Sequence, residues 1–215
     1  MRVSEATRTR LLVTAERLFA ERGIAGVSLR EIGAAAGQRN NSATQYHFES
    51  KHGVVLALCE HRMRAVNERR MAMLQALPAD DLRGLVEAFV LPLAEAVRPG
   101  SYYLRFLVQL LAGPSQAPRA AFELDVLQVM RQIVARIERC LPMVPAALRR
   151  TRFQAAAVLV VHTLAEQERQ LQGHGRTAPL ALRTADLVDA TIGDLTAPSS
   201  AATRRELRSA ARRTA

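Results

Sequence analysis

Apolar residues recur every three to four positions along most of this chain, and glycines and prolines break the pattern into separate helices. From Thr7 to Arg22, Leu11, Leu12, Ala15, Leu18 and Phe19 fall on one helical face, and Gly23 closes the run. Ser28-Leu-Arg-Glu31 has the S-x-x-E spacing of a capping box. It opens a short helix with Leu29, Ile32 and Ala36 at i, i+3 and i+7, ended by Gly37. A second short helix follows, carrying Asn41, Ser42, Thr44, Gln45, Tyr46 and His47. With so few apolar residues it gains little from burial. Its polar face is there to touch something, and base edges and phosphates are the obvious candidates.

Ser50 then caps a long helix that carries Val54, Leu58, Met63, Val66, Met71 and Leu74 and stops before Pro78. Asp80 to Val97 reads as a helix with a kink or break at Pro92, and Pro99-Gly100 as a turn. A short helix from Tyr102 to Leu111 precedes a loop through Gly113 to Pro118. Two longer helices are predicted at about Arg119 to Leu141 and Ala146 to Leu171, separated by Pro142 and Pro145, and a last one at about Leu180 to Leu195. The segment from Phe153 to Leu171 is apolar on nearly all sides near its centre, which predicts burial on two sides. One side is the subunit's own core, and a second subunit is the candidate for the other.

The composition agrees with an all-α fold: 49% hydrophobic, 4% aromatic and no Trp, with Ala and Leu throughout. The formal net charge of +10 is unevenly spread. Residues 1–52 hold eight Arg/Lys against five Asp/Glu, whereas residues 196–215 hold five Arg against one Glu. A modestly basic N-terminal unit suits phosphate contact. The tail lacks bulky apolar residues and is expected to be disordered, with an electrostatic arm on DNA as the alternative. Cys59 and Cys140 lie 81 residues apart without metal-ligand spacing, so reduced, buried thiols are expected. No signal peptide opens the sequence, and the longest apolar run, Ala155 to Val161, falls far short of the ~18 residues of a membrane span. A soluble, cytoplasmic protein without membrane association is the expectation.

LLVTAERLFAERGIAGVSLREIGAAAG, followed by YHFESK, resembles the N-terminal domain of the TetR family of bacterial transcriptional repressors over roughly the first 55 residues. The resemblance implies a helix-turn-helix DNA-binding domain (residues 1–52), a helical effector-binding and dimerisation domain (53–195) and a basic tail (196–215). It implies that Ser28, with Arg30 beside it, binds a phosphate at the start of the second helix. Tyr46 and His47 become DNA-facing residues, Phe48 a core residue locking the recognition helix to the first, and Lys51 a phosphate contact. Lys51 is the only lysine beside 29 arginines. The family's homodimer, joined by its last two principal helices, maps onto 146–171 and 180–195. Two recognition helices in a two-fold dimer would read a palindromic operator in double-stranded DNA.

Two departures from the family pattern stand out. Eight residues, Gln38 to Gln45, separate Gly37 from the Tyr-His-Phe triplet, where seven are common. The extra residue lengthens the turn at Gln38-Arg39, leaving either Asn40 or Ser42 as the cap of the recognition helix and shifting which of Asn40, Asn41 and Ser42 faces the groove. Gln45 stands where an aromatic residue is usual. Gln45 and Asn41 can each read adenine in a bidentate way. The DNA-facing set is thus Ser28, Arg30, Arg39, Asn40, Asn41, Ser42, Thr44, Gln45, Tyr46, His47 and Lys51.

For a small-molecule effector the sequence offers Phe89, Tyr102, Phe106, Gln109, Met130 and His162, which could line a mostly apolar pocket or belong to the helical core. His162 could orient a ligand, or be satisfied by a carbonyl or by its dimer mate. No H-E-x-x-H, paired Cys motif or phosphate-cradling Gly loop occurs. No catalytic residue, metal site or cofactor is therefore expected. The reading is a dimeric repressor relieved by a small, largely apolar ligand. The alternative is a TetR-like DNA-binding protein without an effector, acting through a protein partner or as an activator.

Overall fold

The computed structural model describes residues 5–38, 48–78, 80–112, 128–173 and 178–213. Among these the chain forms nine helices and no strand: α1 (Glu5–Arg22), α2 (Leu29–Ala35), α3 (Lys51–Ala76), α4 (Leu82–Ala94), α5 (Tyr103–Ala112), α6 (Gln128–Arg139), α7 (Ala146–Gln170), α8 (Leu180–Thr196) and α9 (Ala201–Arg213). The fold is all-α. Predicted helix boundaries agree to within a few residues, and α4 runs through Pro92 to end at Ala94. The first nine residues of the helix predicted from Arg119 lie outside the described residues.

The predicted stripe of α1 is the core of the N-terminal unit, with Leu11, Leu12, Ala15 and Phe19 fully buried. Gly23 and Gly37 end their helices at φ values of 77° and 73°, the left-handed region that a Cβ penalises. In the body, α4 lies at the centre against α3, α6 and α8. Its Leu85, Val86, Ala88 and Val90 are wholly excluded from solvent. Arg136 of α6 donates to the carbonyls of Leu74, Leu77 and Pro78, supplying partners to the bare end of α3.

Two contacts weld the N-terminal unit to the body. Phe19 of α1 stacks on Phe106 of α5 with ring centroids 6.1 Å apart. Arg62 of α3 forms a fork on Glu16 of α1, with Nη2 2.6 Å from Oε1 and Nε on the other oxygen. Glu16 is 2% exposed, so the pair is largely shielded from water. α5 is held in turn by α7. The buried carboxylate of Glu168 accepts from the backbone N–H groups of Leu104 (3.3 Å) and Arg105 (3.1 Å), where a helix N-terminus favours negative charge.

α7 and α8 lie antiparallel. Arg183 reaches Gln170 at one end (2.7 Å), and Arg152 reaches the Leu195 carbonyl at the other (3.1 Å). The outer face of the pair leaves Val158, Leu159 and Leu182 exposed at 50%, 39% and 62%. The tail departs from expectation, because residues 201–213 are helical instead of structureless. Ser200 caps this helix by accepting from Thr203 N–H (3.1 Å), and Ala and Arg are strong helix formers. No residue of α9 is buried. Among the described residues, no helix is long and apolar enough to cross a membrane.

Candidate functional site

The capping box read in the sequence is present atom for atom. Glu31 N–H donates to Ser28 Oγ (3.2 Å), while Glu31 Oε2 accepts from Ser28 N–H (2.9 Å) and from the Ser28 hydroxyl (2.7 Å). Arg22 donates to the second Glu31 oxygen at 2.6 Å and to the Gly26 carbonyl at 3.0 Å, tying the end of α1 to the start of α2. These hydrogen bonds, with the Arg22 charge, hold the Glu31 carboxyl at about 2, below its ordinary 4.5. Ser28 and Arg30 are exposed at this end of α2, where free N–H groups and the helix dipole suit a phosphate.

Phe48 is buried at 5% exposure, and the Arg8 guanidinium of α1 lies 5.5 Å from its ring centroid. It thus has the core position expected of it. The chain then turns sharply through Glu49, at φ 54°, into α3. Ser50 Oγ accepts from Gly53 N–H at 3.0 Å. A Cβ on Gly53 would stand 2.1 Å from the Phe48 carbonyl oxygen, so the close approach requires glycine. Lys51 Nζ donates to the Ala25 carbonyl in the α1–α2 turn at 3.1 Å. The lysine therefore stands at the helix-turn-helix, held by backbone. Arg39, Asn40, Asn41, Ser42, Thr44, Gln45, Tyr46 and His47 lie outside the described residues.

The six candidate effector residues do not share one lining. Phe106 is fully buried in its stack on Phe19, and Phe89 packs on Phe153 at 5.4 Å in the body core. Tyr102 lies under the Arg105 guanidinium at 4.4 Å, and Met130 is half-buried on α6. Gln109 and His162 do come together. They line an open cleft of about 180 Å³ with Ala20 of α1, Arg105 and Val108 of α5, and Ala165, Glu166 and Arg169 of α7. The cleft lies at the junction of the N-terminal unit and the body.

Residues 11–58 match the family model described as bacterial regulatory proteins, tetR family, and residues 87–193 match that of the tetracyclin repressor-like C-terminal domain. The chain belongs to the TetR family. TetR-family proteins are helix-turn-helix DNA-binding transcription regulators, and the first match spans the capping box, Phe48 and Lys51. Among solved structures with a similar fold is NalD, the secondary repressor of the MexAB-OprM multidrug efflux pump in Pseudomonas aeruginosa (21% identity, TM-score 0.59, covering 92% of this chain and 99% of that one). Another is a bacterial regulatory protein in the tetR family from Rhodococcus RHA1 (18% identity, TM-score 0.59, 91% and 100%). A third is AibR, in complex with isovaleryl coenzyme A and operator DNA (16% identity, TM-score 0.54, 90% and 100%). No curated protein matches the chain.

Sequence reasoning passed over Gly53, the Glu16–Arg62 pair and the Glu168 cap. Gly53 left a faint signal, as a glycine in the first turn of an otherwise strong helix. The other two join residues 46 and 63–64 positions apart, and no local pattern encodes such partners.

Proposed function

We propose that this TetR-family regulator is a homodimeric repressor that leaves a palindromic operator when a small, largely apolar molecule binds its body. The observation that carries the reading is mechanical. α3 is one 26-residue helix with Lys51 in its first turn and Leu74 in the body core, and Arg62 clamps it to α1 midway. A shift of the body against α3 would then re-aim the helix-turn-helix. Ser28, Arg30, Lys51 and the polar residues of the segment 39–47 are assigned to DNA. The exposed apolar face of α7 and α8 is assigned to a second copy, which would set the two recognition helices at a fixed spacing. AibR, solved with both a small molecule and operator DNA, is a precedent in the same fold.

Ligand would favour a spacing that no longer matches successive major grooves, weakening operator binding roughly 100-fold. The test is selection of genomic fragments on the purified protein, with a Tyr46→Ala, Lys51→Ala double variant as control. A shared palindrome lost in the variant supports the reading, and genes beside it nominate ligands for release assays. Sequence-independent binding unchanged in the variant would remove it. Operator affinity indifferent to every molecule that binds would leave the effector-free alternative, acting through a protein partner.

A further inference from the structure

Among the described residues, two of the three buried charged side chains face an opposite charge, and the third does not. Glu16 holds the Arg62 fork, and Glu168 holds two backbone N–H groups and Arg105 at 3.6 Å. Arg70 of α3 is 1% exposed and has no carboxylate among the described ion pairs. Its Nη1 makes a long bond to Asn67 Oδ1 (3.4 Å) and its Nη2 another to the Phe89 carbonyl (3.3 Å). Its Nε has no partner. A guanidinium offers five N–H donors and always seeks acceptors. Burial pushes Arg70 down to about 10, which leaves it cationic at neutral pH.

A second donor within reach of its field is also poorly used. Tyr103 is 1% exposed, and its hydroxyl donates to the thioether sulfur of Met63 at 2.8 Å, a weak acceptor. Met63 and Arg70 lie seven positions apart on one face of α3, so the Tyr103 hydroxyl and the Arg70 guanidinium are held by the same stripe of that helix; burial raises the phenol and the Arg70 charge lowers it. The Phe89 ring lies 5.8 Å from the Arg70 guanidinium and packs on Phe153. One fork of donors, one phenol and the adjoining Phe89 and Phe153 rings suit a planar monoanion with an apolar body. A phosphate, at roughly −1.5 to −2, would need a second free cation, and the nearby Arg62 is already neutralised by Glu16.

We infer that Arg70, assisted by Tyr103, receives the carboxylate of an organic acid, so the effector class is a monocarboxylate with an apolar body. The inference rests on the proposed effector-release reading and deepens it. Its placement would make such a ligand effective. Arg70 stands on the same helix as Lys51, about 28 Å along it, and Tyr103 opens the helix that stacks on α1.

The test uses the full chain and four probes, hexanoate and benzoate with their neutral amides, measured by calorimetry and thermal melting. The proteins are wild type, Arg70→Met and Tyr103→Phe. Wild type should bind at least one acid roughly tenfold or more tighter than its amide. Tyr103→Phe should weaken acid binding alone, and Arg70→Met should lose the acid preference. The ligand-free Arg70→Met protein should melt at or above the wild-type temperature, since an apolar side chain replaces an uncompensated charge. An acid preference absent from wild type, one that survives in Arg70→Met, or an Arg70→Met protein that melts lower or fails to fold, overturns the inference. The effector reading fails separately. Arg70-dependent acid binding that leaves operator affinity unchanged keeps the site and removes the effector role. A neutral molecule that releases wild type and Arg70→Met equally does the reverse.

Discussion

Glu31 joins two structures: it completes the cap of α2 and, through Arg22, fastens α1 to it. Its carboxyl sits at about 2, below its ordinary 4.5, because the bonds from Ser28 and Arg22 favour the ionised form. The stabilisation is therefore complete above about pH 4.5 and is lost as the pH falls toward 2. Glu31→Gln should melt below wild type at pH 7, with the gap closing over that window in a melting series against pH. Gly53 invites a test of opposite sign to the usual rule. Glycine to alanine in an exposed helix stabilises by up to about 1 kcal/mol, but here the new Cβ would strike the Phe48 carbonyl. Gly53→Ala should cost about 1–3 kcal/mol in a denaturant titration and weaken operator binding by displacing Lys51.

Between elements, the Glu16–Arg62 fork is the contact most open to dissection. Glu16→Gln strands a largely buried guanidinium and should cost about 3–5 kcal/mol, while adding Arg62→Met should recover much of that loss. A double-mutant cycle by chemical denaturation measures the coupling. At this scale the chain is partly legible. Helices could be placed because apolar residues return at the helical period, and the α2 cap because four letters state it. The fork and the Glu168 cap on α5 were hidden, since each depends on a partner brought in by tertiary packing, whereas the Gly53 contact is local and follows from the sharp turn at Glu49. Phe89, Tyr102, Phe106 and Met130 look like one apolar set along the chain, yet packing sends Phe106 to α1 and Phe89 to Phe153. Gln109 and His162 meet although 53 residues separate them. The tail was misjudged for a different reason: low apolar content argues against burial, and α9 is unburied, but Ala and Arg with a Ser cap still favour a helix.

Taken whole, the molecule has two ends with different tasks. Ala20 and Glu166 border one cleft, so the C-terminal half of α7 abuts the N-terminal unit, while its first turns lie beside the segment leading into α9. The proposed dimer face lies along the length between. Leu159→Arg with Leu182→Arg should convert a dimer to a monomer in sedimentation velocity and abolish operator binding without loss of helicity, because both side chains are already exposed in the protomer. The solitary lysine has a practical consequence. With Lys51 the one side-chain amine in the sequence, an acylating reagent has a single side-chain target, and that target stands on the helix-turn-helix. Operator-bound protein should resist acylation at Lys51 while free protein takes one adduct there, read by intact mass and peptide mapping. The molecule would thus carry its own occupancy gauge, legible as a mass difference without a dye or an engineered residue.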